Sequence, residues 1–264
     1  MYTIYGMNLG ECDLDDLLDI SDDPKRDKTR ILFPMWCIKG KETVILVDTG
    51  MTDEDMNRIG LQNPAKPNIL LERINVDPQN VKTIIISHLH DDHFSAHGLY
   101  PNATFYAQTK EVAFWATLPT PHSAFEANCH VADLIKLNYA GRVRFINGNE
   151  EIMSGIRVVL VGGHTPGNQI ITIQTAQGTA VLACDAVHLY KELDDKISAG
   201  RRACWPTPNG TVEEESQCLL AYQMVKRLAT SPDLIIPGHD PLVMSKFPSV
   251  AEGVVKIVGN DLSR

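Results

Sequence analysis

The chain has 264 residues, of which 44% are hydrophobic and 22% are charged, as is ordinary for a globular α/β protein. Its net charge of −9 argues against nucleic-acid binding, because recognition of phosphates requires a basic face. No run approaches the ~20 apolar residues of a membrane span, and Met1–Asn8 lacks the basic and apolar segments of a signal peptide. We therefore expect a cytoplasmic protein whose partners are neither nucleic acids nor membranes.

Apolar and β-branched runs predict strands along most of the chain. In chain order, strands are predicted near 3–11, 33–39, 43–48, 83–87, 104–107, 143–146, 156–161, 169–174 and 179–184. Helices are predicted from Thr109 onward, over 211–230 and over 248–258. The remaining segments are predicted as a charged loop at 12–30, an irregular loop at 52–74 and a roofing loop at Leu118–His122.

Strands dominate both halves of the chain, and a helix comes late in each half. This order predicts an α/β protein with two mixed β-sheets face to face, flanked by helices in an αββα sandwich. The chain has no linker rich in Gly or Ser, so we expect one domain over 1–264, built of halves 1–145 and 146–264.

The hexapeptide His88-Leu-His-Asp-Asp-His93 follows the apolar run Val81–Ser87, which reads as a strand ending in a loop. Imidazole nitrogens and carboxylate oxygens are ligands that suit Zn²⁺ and similar ions. In an extended loop His88 and His90 point the same way and can share one ion. A bend at Asp92 and His93 can turn both toward a second ion.

Three further residues of these types follow apolar runs later in the chain, namely His164, Asp185 and His239. With the hexapeptide they make five histidines and two aspartates at the ends of four strands. That number fits two ions that share one carboxylate and keep positions for water and substrate. A single His-x-His would more often be a structural histidine, but seven such positions together favour a metal site.

With these residues in view, the chain resembles the metallo-β-lactamase superfamily of hydrolases. His88, His90, Asp92 and His93 match its His-x-His-x-Asp-His signature, and the flanking segments are similar to the N-acyl-homoserine lactonase family. The resemblance implies the metallo-β-lactamase fold, with His88, His90 and His164 on one metal. It places Asp92, His93 and His239 on the other, with Asp185 bridging them. It also implies a homodimer, and it gives Asp48 a supporting role in orienting the metal loop.

The sequence departs from the lactonase pattern after the bridging aspartate. The family has a tyrosine three residues later, but this chain has His188 there and Tyr190 two residues further on. Either side chain could act on the substrate, with Asp92 delivering a proton, or His188 could be solvent-exposed. Phe94, Met35 and Trp36 are candidates for an apolar substrate pocket, although aromatic residues near a site are more often core.

The resemblance and the ligand set predict a metal-dependent hydrolase that opens a small cyclic ester, such as an N-acyl homoserine lactone. Two divalent ions, with Zn favoured over Fe, Co or Mn, would activate a bridging hydroxide. The change to His188 leaves open a different small substrate: a cyclic amide or imide, an ester or a thioester. A redox or purely binding protein is the third interpretation. It is disfavoured because all seven ligand positions are filled and no flavin domain follows residue 264.

Overall fold

The computed structural model describes residues 1–14, 29–117, 130–194 and 212–259. Most of the predicted loop at 12–30, and the whole predicted loop Leu118–His122, lie outside these ranges.

Thirteen strands in the described ranges form two sheets, and most lie within a few residues of the predicted positions. They are β1 (Thr3–Asp13), β2 (Arg30–Lys39), β3 (Val44–Val47), β4 (Thr83–Ile85), β5 (Thr104–Gln108), β6 (Val143–Ile146), β7 (Glu150–Met153), β8 (Ile156–Leu160), β9 (Gln169–Thr175), β10 (Gly178–Cys184), β11 (Ile235–Pro237), β12 (Ser249–Ala251) and β13 (Val254–Val258).

The first sheet has the strand order β12-β13-β1-β2-β3-β4-β5-β6, and the second has the order β11-β10-β9-β8-β7. Strands β3 to β6 run parallel, as do β10 and β11, whereas the remaining pairs are antiparallel. Parallel neighbours end at the same edge of a sheet, so loops that follow β3 and β4, or β10 and β11, emerge side by side.

The helices of the described ranges are α1 (Asp53–Ile59), α2 (Pro67–Glu72), α3 (Asp91–Phe94), α4 (Thr109–Thr117), α5 (Val131–Tyr139), α6 (Val212–Leu228) and α7 (Leu242–Lys246). Short 3₁₀ turns occur at Pro78–Asn80, Ser95–Leu99, Tyr190–Leu193 and Pro232–Leu234. Helices α1 and α2 correct the prediction of an irregular loop at 52–74. Thr52 caps α1 by accepting a hydrogen bond from the backbone of Asp55. Pro67 stands at the first turn of α2, where proline favours a helix rather than breaking one.

The prediction of a terminal helix over 248–258 is wrong, because β12 and β13 form an antiparallel hairpin there. Val254, Val255, Ile257 and Val258 are β-branched residues that pack well on a sheet. Gly253 supplies the turn with a φ of 69°, a conformation that favours glycine. The hairpin joins the first sheet beside β1, so the second half of the chain contributes strands to both sheets.

Three hydrophobic layers confirm the predicted αββα sandwich. One apolar cluster lies between the sheets and includes Trp36, Ile85, Ile171 and Leu182. A second cluster packs helices α1, α2, α4 and α5 on the outer face of the first sheet, and a third packs α6 on the second sheet. Within the described ranges, no helix combines the length and apolar character needed to cross a membrane.

Candidate metal centre

The seven predicted ligand residues meet at one edge of the two sheets. His88 and His90 follow β4, His164 follows β8, Asp185 follows β10 and His239 follows β11. Each of the seven exposes 8% or less of its surface. Backbone hydrogen bonds join loops across the edge, from Leu32 N to His239 O at 3.0 Å and from Gln169 N to Ser87 O at 3.1 Å. The site is therefore buried and built by both sheets.

His88, His90 and His164 form the first part of the cluster, which we call the histidine group. His88 Nε2 and His164 Nε2 lie 2.8 and 3.0 Å from His90 Nδ1. The three rings meet edge to face, with centroids 4.5 to 4.8 Å apart. Three imidazole nitrogens thus converge on a single point.

Asp92, His93 and His239 form the second part, which we call the mixed group. His93 Nε2 lies 3.0 Å from Asp92 Oδ2, and His239 Nε2 lies 3.7 Å from the same oxygen. The other nitrogen of each ring is occupied, because His239 Nδ1 donates to Leu32 O at 2.7 Å and His93 Nδ1 donates to Asp48 Oδ2 at 2.8 Å. These hydrogen bonds fix the tautomers and turn both Nε2 atoms toward the cluster.

Asp185 lies between the two groups. Its Oδ2 is 3.3 Å from His164 Nε2 and 3.9 Å from His88 Nε2 on one side. Its Oδ1 is 3.3 Å from His93 Nε2 on the other, and His239 Nε2 is 3.1 Å from Oδ2. A single carboxylate therefore contacts both groups.

Burial and charge act differently on the two groups. Burial lowers the pKa of His88 and His164 well below the usual value and lowers the pKa of His90 to about 4, so all three are neutral at pH 7. Burial also disfavours protonation of His93, but Asp92, Asp185 and Asp48 outweigh it and raise the pKa of His93 well above the usual value. The mixed group therefore requires a positive charge, which a proton or a divalent cation can supply.

The donor set fits two divalent cations. Ligands about 2.0 to 2.1 Å from one tetrahedral ion lie roughly 3.3 Å from each other. The distances within each group and from Asp185 to each group scatter around that value. In each group, one ligand atom from every residue lies within 4.8 Å of those of the other two. The cluster is compatible with a dinuclear site in which Asp185 touches both positions.

Asp48 lies beneath the loop after β4, in a left-handed conformation with a φ of 65°. Its carboxylate accepts hydrogen bonds from His93 Nδ1, from the backbone N–H of Ser87 at 2.7 Å and from the Ser87 hydroxyl at 2.8 Å. Since the Ser87 proton is directed to Asp48, Ser87 Oγ can accept from His88 Nδ1, 3.1 Å away. Asp48 thus contacts a histidine of the mixed group directly and one of the histidine group through Ser87.

His188 and Tyr190 have different surroundings. His188 is buried, its Nε2 lies 3.5 Å from Asp185 Oδ2, and its ring lies 5.0 Å from that of His164. Tyr190 begins a 3₁₀ turn, and its ring packs against the apolar layer between the sheets. The Nζ atom of Lys246 lies over this ring, 4.7 Å from its centre. The role of Tyr190 in the reaction stays a prediction, whereas the burial of His188 rules out the solvent-exposed alternative for that residue.

The three predicted pocket residues are core residues. Phe94 exposes none of its surface and stacks on the ring of His97 at 4.8 Å. Met35 packs beneath the helices of the first sheet, and Trp36 packs between the sheets. Successive residues of β2 face opposite sides of the sheet, and both sides are covered here. None of the three side chains lines an open surface, so the prediction that they line a substrate pocket is wrong.

Sequence reasoning missed two buried acids next to the predicted ligands. Asp91 is fully buried and pairs with Arg58, and Glu111 in the first turn of α4 is 1% exposed. An acid in the first turn of a helix is common for electrostatic reasons, so its position alone does not indicate burial. The one local signal is Trp115, four residues later, which lies on the same helix face and donates to Glu111 Oε1 at 2.7 Å.

Comparison with known proteins places the geometry in a family. Residues 34–239 match the model of the metallo-beta-lactamase superfamily. The N-acyl homoserine lactonase AiiA of Bacillus thuringiensis subsp. kurstaki is 29% identical over 187 residues, which cover 62% of this chain and 68% of that protein. The N-acyl homoserine lactonase AttM of Rhizobium radiobacter is 25% identical over 191 residues, covering 69% and 66%.

Solved structures agree with the fold. An N-acyl homoserine lactone hydrolase with the product N-hexanoyl-L-homoserine bound at its catalytic metal center superposes with a TM-score of 0.70 at 23% identity, covering 93% of this chain and 96% of that one. The dizinc quorum-quenching lactonase AidC superposes with a TM-score of 0.67 at 18% identity, covering 99% and 96%. The chain therefore belongs to the metallo-beta-lactamase superfamily, and it is a metal-dependent hydrolase of that fold.

Proposed function

We propose that this protein is a lactonase that opens a small cyclic ester of the N-acyl homoserine lactone type on a dinuclear metal centre. The observation that carries the proposal is the contact of Asp185 with both the histidine group and the mixed group. The relatives named N-acyl homoserine lactonase support the substrate class. With such a substrate the activity would be quorum quenching.

The proposed ligands are His88, His90 and His164 for one ion, and Asp92, His93 and His239 for the other, with Asp185 shared. Zinc is the favoured ion, and iron, cobalt and manganese are alternatives because His and Asp ligands accept all of them. When bound, two such cations would lower the pKa of a coordinated water and polarise a carbonyl oxygen, which is the chemistry that ester hydrolysis needs. We retain a homodimer in the proposal, and light scattering during size-exclusion chromatography would test it.

We assign His188 the role of donor to the substrate, where the lactonase family has a tyrosine. Glu192 orients it: Glu192 Oε2 lies 3.7 Å from His188 Nδ1 and accepts a hydrogen bond from the His188 backbone N–H at 2.8 Å. The hydroxyl of Tyr222 donates to the same oxygen at 3.3 Å. The Nε2 atom is thereby turned toward Asp185, beside the cluster. A proton held there can be donated to the oxygen that leaves when the ring opens, with Asp92 as the second candidate donor.

A turnover assay on paired substrates tests the proposal. Purified protein loaded with zinc is given N-acyl homoserine lactones of several acyl lengths and the matching cyclic amides, and the ring-opened products are quantified by liquid chromatography with mass spectrometry. We expect lactone kcat/KM to exceed that of the amides by about 10²-fold or more, since the amide is the harder bond and offers a poorer leaving group. Ring opening of no lactone would reject the proposal.

Hydrolysis of a cyclic amide or imide, an ester or a thioester is the second candidate, and His188 in place of the family tyrosine is the observation that favours it. An imidazole can protonate an amine leaving group, which is more basic than an alcohol, so the exchange suits a cyclic amide. Turnover of the cyclic amides with no turnover of lactones would select this candidate from the same assay.

A further inference from the structure

Glu111 is a buried acid that accepts four hydrogen bonds. Its Oε1 accepts from the backbone N–H of Leu89 at 3.0 Å and from Trp115 Nε1 at 2.7 Å. Its Oε2 accepts from the hydroxyl of Thr165 at 2.7 Å and from the backbone N–H of Gly167 at 2.9 Å. A carboxylate offers about four acceptor positions, so these donors satisfy Glu111 without a metal.

Three of the four donors belong to the loops that carry the histidine group, and the fourth, Trp115, contacts one of its rings. Leu89 lies between His88 and His90 in the chain, and Thr165 directly follows His164. The ring of Trp115 packs edge to face against the ring of His90, with centroids 5.5 Å apart. Glu111 therefore joins the loop after β4, the loop after β8 and helix α4 at one point.

The approach between these segments is close. A Cβ atom built on Gly167 would lie 2.3 Å from the backbone nitrogen and Cβ of Glu111, which is closer than real Cβ contacts come. Only glycine at 167 lets the loop after β8 lie directly on the first turn of α4. The distance between the two histidine-bearing loops is therefore set at Glu111 by both packing and hydrogen bonds.

We propose that Glu111 is a positioning residue that holds the three nitrogens of the histidine group at the spacing of one metal ion. The inference rests on the proposed metal centre. It is selective, because the donors to Glu111 lie on its own helix and on the two loops of the histidine group. His93 and His239 of the mixed group are instead held by Asp48 and by Leu32 O.

The isosteric substitution Glu111→Gln tests the proposal with little change in volume. One carboxylate oxygen becomes an amide NH₂, a donor. If the NH₂ faces Thr165 and Gly167, the threonine hydroxyl can rotate to accept, but the Gly167 N–H is left facing another donor. In the opposite orientation the NH₂ group would face two donors, the N–H groups of Leu89 and Trp115, so this orientation is higher in free energy. The variant therefore loosens the loop of His164 first.

The measurement is metal retention. Wild type and E111Q are loaded with two equivalents of Co²⁺ or Zn²⁺ and equilibrated with chelators of increasing strength, and bound metal per chain is determined by elemental analysis. We expect one ion of E111Q to bind about 10- to 100-fold more weakly than in wild type, as is usual when a partner of a metal ligand is lost, and the other ion to change by less than about 3-fold.

A second substitution identifies the weakened ion. Adding Asp92→Ala to E111Q removes a ligand of the mixed group, so the ion that E111Q retains should now be lost as well. If that ion is unaffected by Asp92→Ala, it belongs to the histidine group and the inference is wrong. Thr165→Val removes one donor while keeping the side-chain shape, so it should weaken the same ion to a smaller extent. If E111Q does not fold, Thr165→Val is the variant that tests the proposal.

Val225→Ala is the matched control for a purely structural loss. Val225 is fully buried in the apolar layer between α6 and the second sheet, so its truncation lowers the unfolding temperature without touching either group. We expect this control to keep both ions at wild-type affinity. E111Q that keeps both ions at wild-type affinity, or weakens both equally, would overturn the inference. Wild type that binds fewer than two ions would instead overturn the proposed metal centre, and the inference with it.

Discussion

The histidine group and the mixed group prepare similar ligand atoms by different physical means. In the histidine group, burial lowers the pKa of three imidazoles, so their lone pairs are available at neutral pH. In the mixed group, carboxylates surround His93 and raise its pKa, so the surroundings favour a positive charge. The first group offers neutral nitrogens and the second offers negative charge, and Asp185 is the residue they have in common.

The two groups also differ in the residues that hold their ligands in place. His93 and His239 of the mixed group each donate directly to an oxygen, of Asp48 and of Leu32. The histidine group is braced mostly through the backbone on either side of its ligands, by Glu111. Because Glu111 holds the backbone rather than the imidazoles, the rotation of these rings is limited by packing. The ring of His90, for example, packs against the ring of Trp115. The two groups should therefore respond differently to substitutions, and this can be tested.

The largest effect is expected where the groups share a ligand. Asp185→Ala removes the carboxylate that contacts both groups, so kcat/KM for a lactone should fall by at least about 10³-fold and metal content should fall with it. Activity assays and elemental analysis on the same preparation check this. Asp133→Asn, on α5 and paired with Lys136, is a control that should behave as wild type. A D185A protein with full metal content and an unchanged rate would remove Asp185 from the mechanism.

Next in size is the effect of the donor at position 188. His188→Phe removes the donor and keeps a ring, so kcat should fall by roughly 10²-fold, the usual contribution of a positioned proton donor. His188→Tyr restores a donor of the kind found in the lactonase family and should retain more activity on lactones than H188F does. H188F and H188Y differ only by the tyrosine hydroxyl, so the ratio of their kcat values gives the contribution of that group. Equal kcat values for wild type and H188F would show that His188 donates nothing to the reaction.

A smaller effect distinguishes the supports of the two groups. Asp48→Asn weakens the acceptor for His93 and for Ser87, so the ion of the mixed group should bind about 10- to 100-fold more weakly. The ion of the histidine group should weaken less, since Asp48 reaches His88 only through Ser87. Chelator competition followed by metal analysis measures both affinities. If Asp48→Asn and E111Q weaken different ions, the two groups have separate supports. If both variants weaken the same ion, the proposed difference between the groups is wrong.

The last effect is on stability rather than on activity or metal binding, and it concerns the pH dependence of stability in metal-free protein. The pKa of His90 is about 4 in the folded state, below its value of about 6.5 in an unfolded chain. Between these two pH values the unfolded chain binds the extra proton, so stability falls as the pH falls from 7 toward 4. His90→Asn should remove a part of this loss on the order of 2 to 3 kcal/mol. Urea unfolding in the presence of a chelator at pH 7 and pH 4.5 measures it, and parallel losses in both proteins would contradict the assignment.

The fold and the list of candidate ligands were accessible from sequence because both depend on local patterns. Apolar runs indicate strands, and polar residues of ligand type directly after them indicate the edge where strands end. The hairpin at β12 and β13 was missed because a short run of Val and Ile with one Lys fits either element, and the outcome depends on pairing with β1. Helices α1 and α2 were missed because Pro64 and Pro67 were interpreted as signs of an irregular loop over 52–74, whereas Pro67 is a first-turn residue of α2.

The supports of the site were not accessible in the same way. Glu111 and Glu192 act on histidines that lie far away in the chain or on the far side of a turn, and nothing in their own segments reveals this. Met35, Trp36 and Phe94 were expected to line a pocket because they were interpreted as apolar and aromatic residues near the metal loops, and Phe94 directly follows His93. Burial on both faces of β2, and beneath α5 for Phe94, was decided by packing between distant elements.

The central claim is that two divalent ions are held side by side, one by each group. Anomalous diffraction from crystals of zinc-loaded protein, recorded at the zinc absorption edge, tests this most directly. We predict two peaks about 3.5 to 4 Å apart, one among His88, His90 and His164 and one among Asp92, His93 and His239, with Asp185 reaching both. A single peak, or peaks that lie outside these residues, would contradict it.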